Sequence, residues 1–272
     1  MSTSTTATLV GGPTLRLTYA GLTFLTDPTF DDPRVYPPGA AGGVTLTKLV
    51  GPAIAASDVG PVDVVLLSHD QHADNLDEAG RAFLADVPII VSTPDAAHRL
   101  PGVTGLEVWE SVAVGDVVIT AVPARHGPEG AEPLSGVVTG FVLQAADSPT
   151  VYVSGDNASL DVVAAVVRRF PVIDLAVLFV GGANVGRFGA EPVTLDALLA
   201  SAAVDLLAPA RVIPVHHSDW AHFVEPLTAL EDRLAGRGGR DRLQVLERGV
   251  PTTVPTAAPD GGRVQTGAPV GV

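Results

Sequence analysis

The sequence contains no cysteine. Disulfide bonds are therefore excluded, and any zinc site has to use histidine, aspartate or glutamate, a donor set more typical of catalytic than of structural zinc. Basic residues are also scarce, since 16 lysines and arginines are outnumbered by 30 acidic residues, giving a formal net charge of −14. Because nucleic acids and anionic membranes are bound through clustered lysine and arginine, we expect neither as a partner.

The sequence has no run of 18 apolar residues, and residues 1–6 lack the basic and apolar regions of a signal peptide. We therefore expect no transmembrane helix and a cytoplasmic protein. Hydrophobic residues make up 46% and charged residues 17% of the chain, which is enough for a large core. We predict one domain over residues 1–250 and an extended or loosely ordered tail over residues 251–272.

The most informative stretch is residues 68–77, Ser-His-Asp-Gln-His-Ala-Asp-Asn-Leu-Asp, which follows the apolar run 62–67. A run rich in β-branched residues is typical of a buried strand, and residues 77–84 are typical of the start of a helix. The polar cluster therefore lies at a strand-to-helix turn. Its two imidazoles and three carboxylates cannot all neutralise one another, whereas a divalent cation would compensate the buried charge.

Three further candidates, His126, Asp156 and His216, each follow a predicted strand later in the chain. His126 and Asp156 also have structural explanations, because a lone histidine beside glycine and proline is usually structural and an aspartate before a helix often caps it. His216 and His217 are adjacent on an extended segment, so their side chains point to opposite faces and cannot easily serve the same role. Either His217 or His222 could orient the substrate.

Together these segments resemble the metallo-β-lactamase superfamily, whose loop pattern after a strand is His-x-His-x-Asp-His. They are most similar to the branch with ascorbate-6-phosphate lactonase and N-acyl-phosphatidylethanolamine phospholipase D, where an opening hairpin ends in Asp-Pro, here Asp27-Pro28. The resemblance implies an α/β fold, a four-layer αββα sandwich of two mixed sheets flanked by helices. The halves up to about residue 146 and from about residue 150 would form similar lobes. Asp27 either caps a turn or lies near the metal.

The loop departs from the family pattern at two positions. Counting back from Asp74, the first histidine should stand where the chain has Asp70, and His69 comes one residue early. His69 and His72 face the same way only if the turn is locally helical, and otherwise Asp70 would be the ligand. Asn75 replaces the last histidine, and its amide oxygen is a weaker zinc ligand than imidazole.

The resemblance implies one or two Zn²⁺ ions, with Mn²⁺ as an alternative that tolerates oxygen-rich sites better. An ion of this kind lowers the pKa of bound water, so we predict a metal-dependent hydrolase using a metal-bound hydroxide on an ester, lactone or phosphoester of a small molecule. We assign catalytic roles to Asp74, which could orient the attacking water instead of binding metal, and to His217. The implied metal ligands are His69, Asp70, His72, Asp74, Asn75, His126, Asp156 and His216.

An alternative from a different class is a catalytically degenerate protein that keeps the fold as a binding or assembly module. Asn75 and the shifted His69 support this alternative. Residues 29–60 are rich in glycine and proline, so they form either a solvated loop or a wall of the active site in which Arg34, Tyr36 or Lys48 contacts substrate. The sequence leaves the oligomeric state, including a homo-oligomer, open.

Overall fold

Short apolar segments bounded by glycine, proline and aspartate form the strands of two sheets. The computed structural model describes residues 5–38 and 43–255. Within these residues the strands, in chain order, are β1 (Thr6–Gly11), β2 (Thr14–Tyr19), β3 (Leu22–Thr26), β4 (Arg34–Tyr36), β5 (Leu46–Lys48), β6 (Val64–Leu66), β7 (Ile89–Ser92), β8 (Val103–Gly105), β9 (Ser111–Val114), β10 (Val117–Pro123), β11 (Thr139–Gln144), β12 (Val151–Val153), β13 (Leu175–Phe179), β14 (Arg211–Val215) and β15 (Thr252–Thr253).

The helices begin at capping residues that the sequence supplies. Asp77, Ser159 and Asp196 each accept a hydrogen bond from a backbone N–H in the first turn that follows, which satisfies a donor that has no partner within the helix. The helices are α1 (Glu78–Phe83), α2 (Pro94–Arg99), α3 (Glu132–Ser135), α4 (Leu160–Arg169), α5 (Ala197–Leu207) and α6 (Leu227–Ala235).

The strands form two mixed sheets that pack face to face. The first sheet has the order β15-β1-β2-β3-β6-β7-β8 and the second has the order β14-β13-β12-β11-β10-β9, while β4 and β5 form a separate hairpin. Side chains alternate between the two faces of each strand. Val64 and Leu66 of β6 therefore join the core between the sheets, whereas Val65 packs on the outer side with α1.

The second sheet is covered in the same way. Leu175, Val177 and Phe179 of β13 contact the central core, whereas Ala176 and Leu178 pack against a cluster that includes residues of α4, α5 and α6. The layers therefore run helix, sheet, sheet, helix, and the predicted αββα architecture is confirmed.

Strand direction brings the ends of several strands to one rim of the sandwich. In the first sheet β6 is parallel to β3 and β7. In the second sheet β12, β13 and β14 are parallel, and β10 has the same direction because both β10 and β12 are antiparallel to β11. The segments that follow β10, β12 and β14 therefore leave the second sheet at the same edge.

Some local predictions were wrong. The apolar segments at residues 106–109 and 243–246 are typical of short strands in the sequence. Residues 106–109 nevertheless lie between β8 and β9 without strand structure, and residues 243–246 contribute only one isolated bridge, from Leu243 to Val212. The sheets also divide between β8 and β9 rather than near residue 146, because β9, β10 and β11 all join the second sheet. Sequence periodicity missed this division because both sheets use similar short apolar strands.

At the C-terminal end, β15 pairs with β1 and Val254 is buried. Residues 256–272 of the predicted tail lie outside the described residues, so the assignment of residues 251–272 to a tail stays a prediction. Within the described part of the chain, none of the helices combines the length and the apolar character needed to span a bilayer. The cytoplasmic location also stays a prediction.

Candidate metal centre

The loop between β6 and α1 is fixed at both ends by buried carboxylates. Asp27, at the end of β3, accepts a hydrogen bond from the Ser68 backbone N–H at 2.6 Å and lies 3.3 Å from the Asn75 side-chain nitrogen. Asp77 accepts hydrogen bonds from the backbone of Phe30 and Gly80 at 2.9 and 2.8 Å. The loop is therefore held against the sheet by groups that lie far from it in sequence.

Three imidazoles meet where this loop approaches the end of β10. The Nδ1 atom of His72 lies 2.9 Å from Nε2 of His69 and 3.2 Å from Nε2 of His126. In a tetrahedral zinc site with zinc–nitrogen bonds of about 2.0–2.1 Å, ligand atoms are about 3.3 Å apart. The spacing of these three nitrogens therefore suits a common cation.

Two of these rings are oriented by hydrogen-bond partners at their Nδ1 atoms. The Ser68 hydroxyl lies 3.0 Å from Nδ1 of His69, and the Val193 carbonyl lies 2.7 Å from Nδ1 of His126. The carbonyl can only accept a hydrogen bond, so His126 carries its proton on Nδ1 and turns the lone pair of Nε2 towards His72. Such partners hold metal-binding histidines in the tautomer that ligation requires.

A second group consists of Asp74, Asp156 and His216, whose ligand atoms lie within 4.8 Å of one another. Asp156 connects the two groups, since one of its oxygens is 3.0 Å from Nδ1 of His216 and the other is 3.7 Å from Nε2 of His126. Ser159 caps α4, so Asp156 is not needed for capping. A carboxylate with its two oxygens turned to two ligand groups has the form of a bridging ligand.

Two members of the second group are buried without hydrogen bonds. Both carboxylate oxygens of Asp156 and both ring nitrogens of His216 are inaccessible to solvent and have no partner in hydrogen-bond geometry among the described residues. A buried polar atom without a partner is costly, and a native structure seldom tolerates four together. A cation would satisfy these atoms, so the donor set fits a metal ion.

The charge states also suit metal binding. Burial, assisted by the neighbouring imidazoles, lowers the pKa of His72 to about 4 and that of His69 well below its usual value. Burial alone would raise the pKa of Asp156, but His216, His126 and His69 together outweigh it and hold this pKa well below its usual value. His69 and His72 are therefore neutral imidazoles and Asp156 is a carboxylate, which are the forms that bind metals.

His216 is unusual both in its pKa and in its backbone conformation. Burial lowers its pKa, but Asp156 and Asp74 outweigh this effect and raise it to about 10. Its backbone also adopts a left-handed conformation with φ of 58°, which is unfavourable for a residue with a Cβ and is typical of functional sites. We expect a bound cation to displace the proton from this ring, since metal and proton compete for the same lone pair.

Three residues predicted from the sequence lie apart from these groups. Asp70 forms a bidentate ion pair with Arg99, and its carboxylate is directed towards that guanidinium. Asn75 is completely buried, with its nitrogen near Asp27 and its oxygen without a hydrogen-bond partner in the described part of the chain. His217 follows His216 but does not line the cavity described below. The geometry favours His69 over Asp70 in the first group.

A cavity of about 590 Å³ opens above the two groups. His72, Asp74 and His126 line it together with Tyr36 and His222. His222, and not His217, lies at the rim, where its Nε2 is 2.9 Å from the Asp74 carboxylate. Sequence reasoning named His222 only as an alternative, because nothing in the residues after β14 shows which histidine returns to the rim.

The other predicted substrate contacts differ in their surroundings. Tyr36 lines the cavity and donates a hydrogen bond to Asp31, whereas Lys48 is buried in an ion pair and Arg34 pairs with Glu78 at the surface. Residues 39–42 of this loop lie outside the described residues. Among the lysines and arginines described, only Arg187 lines the cavity, where it donates to the Leu134 carbonyl.

We predict that Asp27 makes the stability of the metal-free protein depend on pH. Burial, together with the charge of Asp156, raises its pKa from 3.8 to about 7, although the Ser68 N–H opposes the shift. Below the pKa that Asp27 has in the unfolded protein, the carboxyl is protonated in both the folded and the unfolded state. The stability that this protonated form provides is lost as the pH rises through the pKa of the folded state. In chelator-treated protein, denaturant unfolding should therefore show Asp27→Asn gaining stability relative to wild type between about pH 4 and about pH 8. A difference that stays constant across this range would contradict the assignment.

Comparisons with known proteins agree with this geometry. A family model described as beta-lactamase superfamily domain matches residues 23–217. A protein of Pyrococcus abyssi named a metal-dependent hydrolase is 29% identical over 168 residues, covering 60% of this chain and 70% of that protein. Another so named, from Anaeromyxobacter dehalogenans, is 25% identical over 249 residues, covering 86% and 81%.

Among solved structures, a possible metal-dependent hydrolase from Veillonella parvula has a TM-score of 0.79 at 22% identity, covering 93% of this chain and 100% of that one. At this identity the likeness concerns the fold.

Proposed function

The chain belongs to the β-lactamase superfamily, and on this premise we propose that it is a metal-dependent hydrolase acting on an ester, lactone or phosphoester of a small molecule. The observation that carries the proposal is the pair of ligand groups that adjoin at Asp156, beside a cavity of about 590 Å³. A cavity of this size suits a small molecule. The relatives named metal-dependent hydrolases support the same reaction class.

A zinc or manganese ion bound here would supply an activated water at neutral pH and would polarise a carbonyl or phosphoryl oxygen. The chain's own residues prepare for this role. Ser68 and Val193 orient His69 and His126, and burial keeps the imidazoles of His69 and His72 neutral. Asp74 lies at the cavity wall, where its carboxylate can either bind the ion or accept a proton from the attacking water.

The cavity lining supports a substrate with both polar and apolar parts. Arg187 and Phe188 lie on the segment after β13 and line one side of the cavity, while Tyr36 and Leu46 line the side formed by β4 and β5. An arginine at the wall would favour an anionic group on the substrate. The formal net charge of −14 argues against a polyanionic partner such as nucleic acid.

One observation favours a catalytically degenerate binding module instead. The Asn75 side chain stands where the family pattern has a histidine, and its nitrogen lies 3.3 and 3.4 Å from Asp27 and Ser68. It could offer a metal only its amide oxygen, which is a weaker zinc ligand than imidazole. If Asn75 leaves the second group too weak to hold an ion, the fold could persist without hydrolysis. The two candidates differ in metal content and in turnover.

We expect metal binding to stabilise the protein markedly. With free Zn²⁺ or Mn²⁺ at about 100 times the dissociation constant, each occupied site adds about 2.7 kcal/mol, or roughly 5–10 °C in Tm for a chain of this size. Elemental analysis of protein purified without chelator, thermal melting with each metal, and assays on lactones, carboxylic esters and phosphodiesters test the proposal. Hydrolysis should stop on chelation and return on adding metal.

The matched control is His98→Ala, which removes an exposed imidazole that lies in α2. This variant should show the same metal-dependent rise in Tm as the wild type. Metal-dependent stabilisation without turnover of any substrate class would support the binding module, and the absence of both would contradict metal dependence itself.

A further inference from the structure

The nearest imidazole to the Asp74 carboxylate belongs to a residue outside both ligand groups. Oδ2 of Asp74 lies 2.9 Å from Nε2 of His222, closer than the 3.4 Å that separates it from Nε2 of His216. One carboxylate oxygen thus lies between two imidazole nitrogens. These separations are similar to the ligand-to-ligand spacing of about 3.3 Å in a tetrahedral zinc site.

Contacts from three parts of the chain hold His222 in this position. The preceding residue, Ala221, donates its backbone N–H to the Thr47 carbonyl at 3.0 Å, and the His222 carbonyl accepts from the Asn184 N–H at 2.9 Å. The His222 ring packs against Phe223, with ring centroids 4.7 Å apart. The side chain is only 10% exposed, so its direction towards Asp74 is set by packing and not by solvent.

The second nitrogen of the His222 ring also lacks a partner. Among the described residues, Nδ1 of His222 is buried without a hydrogen-bond partner, as are both ring nitrogens of His216. If His222 donates a hydrogen bond from Nε2 to Asp74, Nδ1 is a buried acceptor without a donor. With Nε2 bound to a cation, the proton resides on Nδ1 instead.

Asn75 leaves the second group with one imidazole fewer than the family pattern. In that pattern the residue after the aspartate is a histidine, but the Asn75 nitrogen is directed to Asp27 and Ser68, and its amide oxygen is a weaker ligand than imidazole. Among the histidines and carboxylates of the described residues, the second group otherwise offers Asp74, Asp156 and His216. An imidazole from another part of the chain, at the same aspartate, would restore the nitrogen that the loop does not supply.

We propose that His222 is a ligand of the second metal ion, which its Nε2 binds together with Asp74 and His216 in place of the imidazole missing at Asn75. The proposal rests on the proposed function only in requiring that the protein binds metal. It predicts two ions per chain, one at His69, His72 and His126 and one at the group that His222 completes.

The competing explanation is that His222 merely donates a hydrogen bond that orients Asp74. Two variants separate these roles. His222→Gln keeps an N–H donor but offers a poor zinc ligand, whereas His222→Ala removes both. His98→Ala is the control for the loss of one imidazole, since His98 is exposed. Circular dichroism and melting of the metal-free proteins establish that each variant folds.

The measurement is titration of each chelator-treated protein with Zn²⁺ alone by calorimetry, with zinc counted by elemental analysis after gel filtration. Removing a residue that only hydrogen-bonds to a metal ligand weakens metal binding about 10- to 100-fold. Removing a ligand itself should therefore weaken it by more than about 100-fold. We expect two ions in the wild type and in His98→Ala. Both His222 variants should keep one ion at wild-type affinity and bind the second more than about 100-fold more weakly.

The proposal is overturned if His222→Gln binds two ions with wild-type affinity, because the hydrogen bond alone would then suffice. A wild-type protein with a single ion, unaffected by either variant, overturns it as well. Two ions in the wild type, one in both variants and no hydrolysis of any substrate would leave this assignment standing while refuting the proposed function.

Discussion

Replacing His72 with alanine is expected to lower kcat/KM of the metal-loaded protein by about 10³-fold or more. The Nδ1 atom of His72 is the central one of the three nitrogens, at 2.9 Å from His69 and 3.2 Å from His126. Its loss leaves two imidazoles, which do not hold a catalytic ion firmly. A bound ion contributes several kcal/mol to the transition state, and each 1.36 kcal/mol corresponds to tenfold in rate.

The measurement is kcat/KM on the best substrate found, together with the zinc content of the same preparation. His98→Ala should retain both the activity and the zinc. It removes one imidazole, as His72→Ala does, but from an exposed position outside the ligand groups. The metal-free Tm of His72→Ala should stay close to that of the wild type, since His72 is not fully buried and the change relieves the close approach of three rings. Full activity in His72→Ala with unchanged zinc content would show that the chemistry lies elsewhere.

The positions of the candidate ligands at strand ends could be predicted because each depends on a local signal. An apolar run followed by a polar residue marks the end of a strand, and His126, Asp156 and His216 all stand at such points. Parallel strand direction brings these ends to one rim. That convergence depends on strand pairing, so in the sequence it was implied by the family resemblance and not by a local signal.

The choice between His69 and Asp70 could not be predicted, because it depends on a residue far along the chain. Asp70 is occupied by Arg99 of α2, which is 29 residues away. The pairing turns Asp70 away from the rim and leaves His69 facing His72. The spacing of residues within the loop is compatible with either His69 or Asp70 as the ligand. It does not show which distant residue pairs with the Asp70 carboxylate.

The same reason explains why His217 was chosen over His222. The residues after β14 pair with β5, through a bridge from Lys48 to Trp220 and a hydrogen bond between Ala221 and Thr47. This pairing directs the chain so that His222 returns to the rim. Residues 29–60 showed no periodicity in the sequence, so neither the β4–β5 hairpin nor its partner segment could be anticipated.

Replacing Lys48 with methionine is expected to destabilise the metal-free protein by about 3–5 kcal/mol, the usual cost of breaking a buried ion pair. Lys48 is the single lysine of the chain, and its Nζ lies 2.9 Å from the Asp77 carboxylate, with side chains 2% and 0% exposed. Methionine fills a similar volume, so the loss is electrostatic. It leaves a buried carboxylate supported only by backbone donors such as Gly80 and Phe30.

Asp77→Ala should cost at least as much, because it also removes the N-cap of α1, worth about 1 kcal/mol. The two changes together should cost less than the sum of the single costs, since neither charge then stays buried alone. The control is Arg237→Met, which breaks an exposed pair with Asp205 and should cost about 0–1 kcal/mol. Urea unfolding in chelator measures all four variants through the midpoint and slope. Strictly additive costs would mean that Lys48 and Asp77 do not interact, and the β4–β5 hairpin would then need another anchor beside the metal centre.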